Sequence, residues 1–338
     1  MLMATTLPTP APARIQATPP TYSLENKRYV KSIRIGDWSI ESTKRPILNS
    51  DEIDMNEKSL NLPLPEMTFG NNGLSVNYEP HASSKLELKF DTIDALAGVA
   101  VGEGWEERVG GGVKVSMAEA WGKSRTSPSV LLSDTPLPSK PVKPHDWTYS
   151  TCYSGSIAGP SSSRWQESST AQIPMKLLAR QDPVLDQILF YDDVPLFEDE
   201  LHDNGDTKMN VRIRVMPHCF FILMRLFVRV DGVLFRIHDV RIYHAFGSGE
   251  VIREVNGMEM DYSSVKAHLE KQSDLTPLTD QNFVYQVMMA NASKDSKNTS
   301  TRVTGKPWPG LGRRVEVMML PAANEVDAAG SGLRDLSL

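Results

Sequence analysis

The chain has 338 residues, 40% of them hydrophobic and 23% charged, so it can bury a sizeable core and is not collagenous, coiled-coil or wholly disordered. Its 36 basic residues against 42 acidic ones leave a net charge of −6, without the basic excess that tracks a phosphate backbone, which argues against a nucleic-acid binder. Cys152 and Cys219 are too few for a disulfide framework and lack zinc spacing. The longest apolar run, Cys219 to Met224, falls far short of the ~20 residues that cross a bilayer, and the first residues lack a signal-peptide pattern. The chain therefore reads as soluble and cytoplasmic, with the nucleus also open to it.

In chain order, residues 1–29 form an arm that holds five of the 23 prolines in its first 20 residues and cannot offset the entropy of ordering. The folded part is a single domain over 30–285, interrupted by a glycine-rich insertion at 101–113 and a Ser/Pro-rich one at 124–144. Asp91 is the expected N-cap of a helix beginning TIDALAGVA, with Ile93, Ala97 and Ala100 on one side, and Asp94 at N3 positioned to return to the cap N–H. DWTYSTCYSG alternates like a strand from Trp147 to Tyr153, and Asp182-Pro183 can open a short helix. MNVRIRVM predicts a strand with Met209, Val211, Ile213 and Val215 facing the core and Asn210, Arg212 and Arg214 facing solvent.

CFFILMRLFVRV and VLFRIHDVRIYH flank Asp231-Gly232, which suits a two-residue type I′ hairpin. That register sets Val230 opposite Val233 and gathers Arg225, Phe227, Arg229, Arg236 and His238 on one face, where guanidinium forks could anchor a peptide carboxylate. Asp239 falls on the other face, with Arg241 in reach as its partner. Ser264 is the expected N-cap of a further helix. Residues 286–338 carry one aromatic, Trp308, and read as a largely disordered tail in which Val315 to Leu320 is the segment that could dock as a strand. Within the folded part the pattern is mostly strand, with fewer helix signals.

Several constellations invite chemistry. His218-Cys219-x5-Arg225 has the spacing of a cysteine-dependent phosphatase, but the intervening Phe220, Phe221, Ile222, Leu223 and Met224 favour a strand over a phosphate-cradling loop. The glycines of 102–112 fit no nucleotide loop, and LFEDELHDNGD, with His202 at its centre, reads as a solvated acidic turn rather than a metal site. No cofactor or metal is called for. Seven acids between Asp192 and Asp206 precede seven bases between Lys208 and Arg241, either as cross-strand ion pairs or as patches for a charged partner.

The strings SLNLPLPEMTFGNN, KVSMAEAW, KPHDWTYSTCYSG, LFEDELHDNG, KMNVRIRVMPHCFFILMRLFVRVDGVLFRIHDVRIYH and VIREV, in this order, resemble the TIPRL-like family of TOR-signalling-pathway regulators. The resemblance implies an α+β fold, mainly antiparallel sheets packed as a sandwich with a few peripheral helices, which agrees with the strand-rich pattern. It also implies a non-catalytic protein that binds catalytic subunits of type 2A-like Ser/Thr phosphatases, inhibiting or chaperoning them and linking them to TOR nutrient signalling. It implies partner contacts at Asp94, Ile188, Ile237 and Asp239, to which the hairpin geometry adds Arg225, Phe227, Arg229, Arg236 and His238 as anchors for the phosphatase C-terminal tail. Other phosphatase-associated regulators of the same pathway are further partners it allows. The competing readings are a Cys219 phosphatase and a scaffold without effect on catalysis.

Overall fold

The computed structural model describes residues 21–81, 84–99, 148–160, 163–183, 185–201, 203–292, 308 and 310–321. The arm over 1–20, both loop insertions, His202 and the tail over 293–307 and 322–338 lie outside the described residues.

Fourteen strands form two antiparallel sheets. The six-stranded sheet runs β1 (Tyr22–Asn26), β2 (Val30–Ile35), β3 (Trp38–Thr43), β5 (Gly73–His81), β6 (Ser84–Asp91), β7 (Ser156–Ala158). The eight-stranded sheet runs β4 (Met67–Thr68), β9 (Phe190–Asp199), β10 (Gly205–Met216), β11 (Cys219–Val230), β12 (Leu234–Ala245), β13 (Glu250–Asp261), β14 (Gly312–Met319), β8 (Gln166–Glu167). Apolar side chains of both sheets join in one core, with Trp38 edge-on to Phe220, and Ser42 donating to the buried Asp192 carboxylate across the layers. Among the described residues five α-helices lie at the periphery: α1 (Ser50–Leu60), α2 (Thr92–Ala97), α3 (Met175–Leu178), α4 (Tyr262–Lys266) and α5 (Gln281–Ala292). None of the described helices is long and apolar enough to cross a membrane.

The α+β sandwich is the architecture the resemblance implies, and its strands dominate as the pattern predicts. In β10, Met209, Val211, Ile213 and Val215 are buried while Asn210, Arg212 and Arg214 are half-buried, the expected alternation. Asp91 caps α2 by accepting from the N–H groups of Ile93 and Asp94. The buried side of α2 is Thr92, Ala95 and Leu96, however, and Ala97 is exposed.

Four local readings are corrected. Trp147 lies outside the described residues, but the rest of the expected alternation, 148–153, is not a strand: Tyr149 adopts φ +53°, and Thr148, Tyr149, Ser150 and Thr151 are all buried, so the segment is a loop packed into the core. The β11–β12 loop holds Asp231, Gly232 and Val233, setting Val230 opposite Leu234. A type I′ turn needs positive φ at both central residues, and only Gly232 has it, at +73°. The helix expected after Ser264 starts earlier, at Tyr262, and Asp182-Pro183 opens a turn in which Asp182 accepts from Leu185 N–H. Outside 30–285, β1 precedes residue 30, Trp308 is buried, and β14, over most of the segment expected to dock as a strand, sits between β13 and β8.

Candidate functional site

Correcting the register by one residue moves every β12 side chain to the opposite face of the sheet relative to β11. Arg225 now stands opposite Asp239, Phe227 opposite Ile237 and Arg229 opposite Phe235, on the face turned away from the sandwich. Arg236 and His238 turn inward with Leu226 and Val228. The expected convergence of three guanidiniums, an imidazole and a phenyl ring on one surface therefore does not form.

The outward face carries a charged strip running across the sheet. Arg225 donates from Nε and Nη2 to the two oxygens of Asp239, at 2.7 and 2.8 Å. Arg241 donates to Asp239 at 2.9 Å, the pairing expected from the sequence, and to Glu254 at 2.9 Å. Arg313 of β14 closes the row on the second oxygen of Glu254 at 2.6 Å. Burial opposes a charge on Arg241, yet Asp239, the Tyr285 hydroxyl and Glu254 together hold its pKa above the ordinary value. Two carboxylates are thus shared among three guanidiniums, leaving one positive charge in excess.

Helix α5 lies over this strip. Asp280 accepts from the N–H of Asn282 in its first turn, and Val284, Val287 and Met288 pack with Phe227, Phe235, Ile237 and Met258. Its polar edge reaches the charges: Asn282 accepts from Arg225 at 3.3 Å, and Tyr285 accepts from Arg241 at 2.6 Å. The Tyr285 ring also lies 4.8 Å from the guanidinium carbon of Arg225 and 5.3 Å from that of Arg241. A hollow of about 300 Å³ opens at the start of the helix, lined by Gln281 together with Asp193, Pro195, Lys208, Asn210 and Arg212.

Of the residues singled out from the sequence, Arg225, Phe227, Ile237 and Asp239 come together here, all buried. Arg229 pairs with Asp231 at 2.9 Å beside the hairpin tip. Ile188 stands before β9, 51% exposed. Asp94 is exposed on α2 and accepts from the Ser156 hydroxyl at 3.3 Å, while the Asp91 N–H that it was expected to cap donates instead to the Tyr153 hydroxyl. Sequence reasoning missed Asn282, Tyr285, Glu254 and Arg313. The spacing Val284, Val287, Met288 behind Asp280 is an amphipathic helix signal that could have found the first two.

Inside the sandwich, Arg236 is fully buried and donates twice to Glu259, at 3.0 and 2.6 Å, and once to Ser150 at 2.7 Å, with the Trp308 ring 4.9 Å from its guanidinium carbon. His238 lies 3.0 Å from the Tyr153 carbonyl through Nε2, which must therefore carry the proton. Burial pushes its pKa down to about 4 against the hydrogen bond and Asp239, which favour the charged ring. His218-Cys219-x5-Arg225 runs from the turn into β11, so its N–H groups do not converge on an anion. Cys219 is buried, its thiol pushed up to about 12 by desolvation, and Arg225 is engaged by Asp239. Among the described residues no group of His, Cys, Asp and Glu could hold a metal ion. The charge asymmetry resolves into ion pairs: Asp193 with Arg212, Glu198 and Asp206 with Lys208, and the later arginines with Asp239, Glu254 and Glu259.

The TIP41-like family pattern matches residues 67–266. The chain is 37% identical over 270 residues to the Type 2A phosphatase activator TIP41 of Saccharomyces cerevisiae, covering 75% of this chain and 71% of that protein. It is 37% identical over 232 residues to the TIP41-like protein of Homo sapiens, covering 68% and 77%. Over 273 residues it is 35% identical to the TIP41-like protein of Dictyostelium discoideum, covering 78% and 91%.

Proposed function

Because the chain belongs to the TIP41-like family, we propose that it is a regulator of type 2A Ser/Thr phosphatases that binds the catalytic subunit, without turnover of its own, and connects it to TOR signalling. The observation that carries this reading is the 37% identity over 270 residues to a protein named a type 2A phosphatase activator. A chaperone that restrains the catalytic subunit while holding it in a competent form reconciles that name with inhibition of the bound enzyme.

The contacts we assign are Asp94 and Ile188, which are exposed, and the strip of Arg225, Ile237 and Asp239, which would receive the partner's C-terminal carboxylate. The excess positive charge of the strip supports an anionic ligand there, and guanidinium pairs suit a carboxylate. Arg236 and His238, buried between the sheets, are no longer part of the assignment.

Titrating the purified protein into an isolated type 2A catalytic subunit, with binding by calorimetry and activity on a phosphopeptide, tests the reading. Saturable binding that changes the rate is expected. Binding with an unchanged rate would make the protein a scaffold. Hydrolysis of an aryl phosphate by the protein alone, lost in Cys219→Ser, would make it an enzyme.

A further inference from the structure

We propose that α5 is a displaceable cover that occupies the phosphatase-binding strip in the free protein and must leave it for the partner's tail to enter. The inference rests on the functional reading above and concerns the regulation of that same site.

Three observations carry it. The strip is buried by the chain itself: Ile237 and Asp239 have no exposed surface and Arg225 has 4%, with α5 packed over them. A partner cannot touch these side chains while the helix is in place.

The contacts made by α5 are also ones that another ligand can replace. An amide oxygen from Asn282, a hydroxyl and ring from Tyr285, and the apolar Val284, Val287 and Met288 satisfy the strip without neutralising it. Among the described residues the carboxylates paired with Arg225, Arg241 and Arg313 are Asp239 and Glu254, so a segment that brings apolar side chains and a carboxylate would match the apolar contacts and cancel the remaining charge.

The helix is, finally, a separable piece. It falls outside the family-matched span of 67–266 and is joined to β13 through α4 and residues 270–277, of which all but Pro277 are exposed. With only twelve residues, it draws its stability from the face it covers rather than from its own length. Such elements open locally without global unfolding, and a ligand that binds only the open form draws the population across.

The cover can be locked where Asn256 Nδ2 donates to Met289 Sδ at 3.7 Å. In a Cys152→Ser background, Asn256→Cys and Met289→Cys are bridged by a short bismaleimide that carries a cleavable disulfide. Binding of a type 2A catalytic subunit is then measured before bridging, after bridging and after cleavage. At least a tenfold weakening on bridging is expected, with recovery on cleavage. Tyr285→Ala, which removes the ring and hydroxyl that hold the helix, is expected to bind several-fold tighter, with an unchanged circular dichroism spectrum showing that it is folded. Hydrogen exchange in 281–292 is expected to speed up in the complex. If the bridged and unbridged forms bind alike and 281–292 stays protected in the complex, the cover role is wrong while the phosphatase reading stands. If no form binds the catalytic subunit, the phosphatase reading itself fails and the cover role falls with it.

Discussion

Strand β12 buries charge on both of its faces, and the two faces do it differently. Inward, Arg236 and His238 are enclosed between the sheets by Glu259, Ser150, the Tyr153 carbonyl and Trp308. Outward, Asp239 and Arg241 meet Arg225 and Glu254 under a single helix. The inner set can reach water only if the sandwich comes apart, whereas the outer set needs only α5 to move. Buried charge enclosed by two layers acts on global stability, and buried charge under one short element can be used locally.

The largest expected effect comes from removing what closes the inner set. Ending the chain at 285 deletes Trp308 and β14, uncovers the edge of β13 and unroofs Arg236. Such a chain is expected to show no cooperative thermal transition. Trp308→Ala alone is expected to cost about 3–5 kcal/mol in urea unfolding, the usual range for a buried tryptophan. A truncated chain that melts like the full one would show that the inner set does not depend on β14.

Next, Arg236→Ala leaves the Glu259 carboxylate, 6% exposed, without its partner, and breaking such a pair costs about 3–5 kcal/mol. The apolar double replacement Arg236→Met with Glu259→Leu should recover most of that loss. A double variant as unstable as the single one would mean that Ser150 and Trp308, rather than the ion pair, hold the guanidinium.

His238 gives the inner face a pH dependence. Its folded pKa of about 4 lies below the ordinary 6.5, so the unfolded chain binds the proton more readily. The contribution is complete above pH 6.5 and is lost as the pH falls from 6.5 towards 4, on the order of 3 kcal/mol in all. His244, also lowered by burial, acts in the same direction. Urea midpoints at pH 7 and pH 4.5 should therefore differ markedly in the native protein and less in His238→Gln.

Particular residues show how far the sequence could be read. The alternation in β10 was legible because one face of that strand is core and the other half-wet, which is what a period of two records. Val315 to Leu320 stood out in the tail as its apolar run, and most of that run is β14. The Trp147–Tyr153 segment has equally good strand chemistry, yet its described part, 148–153, is a loop, because its burial comes from packing under the sheet rather than from pairing within it. The outer site was legible in its members but not in its assembly. Arg225 and Asp239 were both named, but which of them meet depends on whether the turn holds two residues or three, and Asp231-Gly232-Val233 looks the same in sequence either way. The helix that covers them has a local signal in Val284, Val287 and Met288, but what it covers was not legible, because Phe227, Ile237 and Met258 are distant in the chain.

The smallest effect sharpens the comparison most, because it should separate the two faces with one oxygen atom. Tyr285→Phe keeps the ring over Arg225 and Arg241 and removes only the hydroxyl that accepts from Arg241. Arg241 retains Asp239 and Glu254, so the loss is a single hydrogen bond to a charged donor, at the low end of its range, about 1.5 kcal/mol. If α5 opens independently of the sandwich, this loss appears as faster hydrogen exchange confined to 281–292, while the urea midpoint of the whole protein stays nearly fixed. The inner set offers the control: Ser150→Ala likewise removes one oxygen that accepts from a buried arginine, but there the loss should shift the global midpoint and leave exchange in α5 unchanged. Equal global shifts from both variants would show that α5 is as much a part of the cooperative unit as the sheets beneath it.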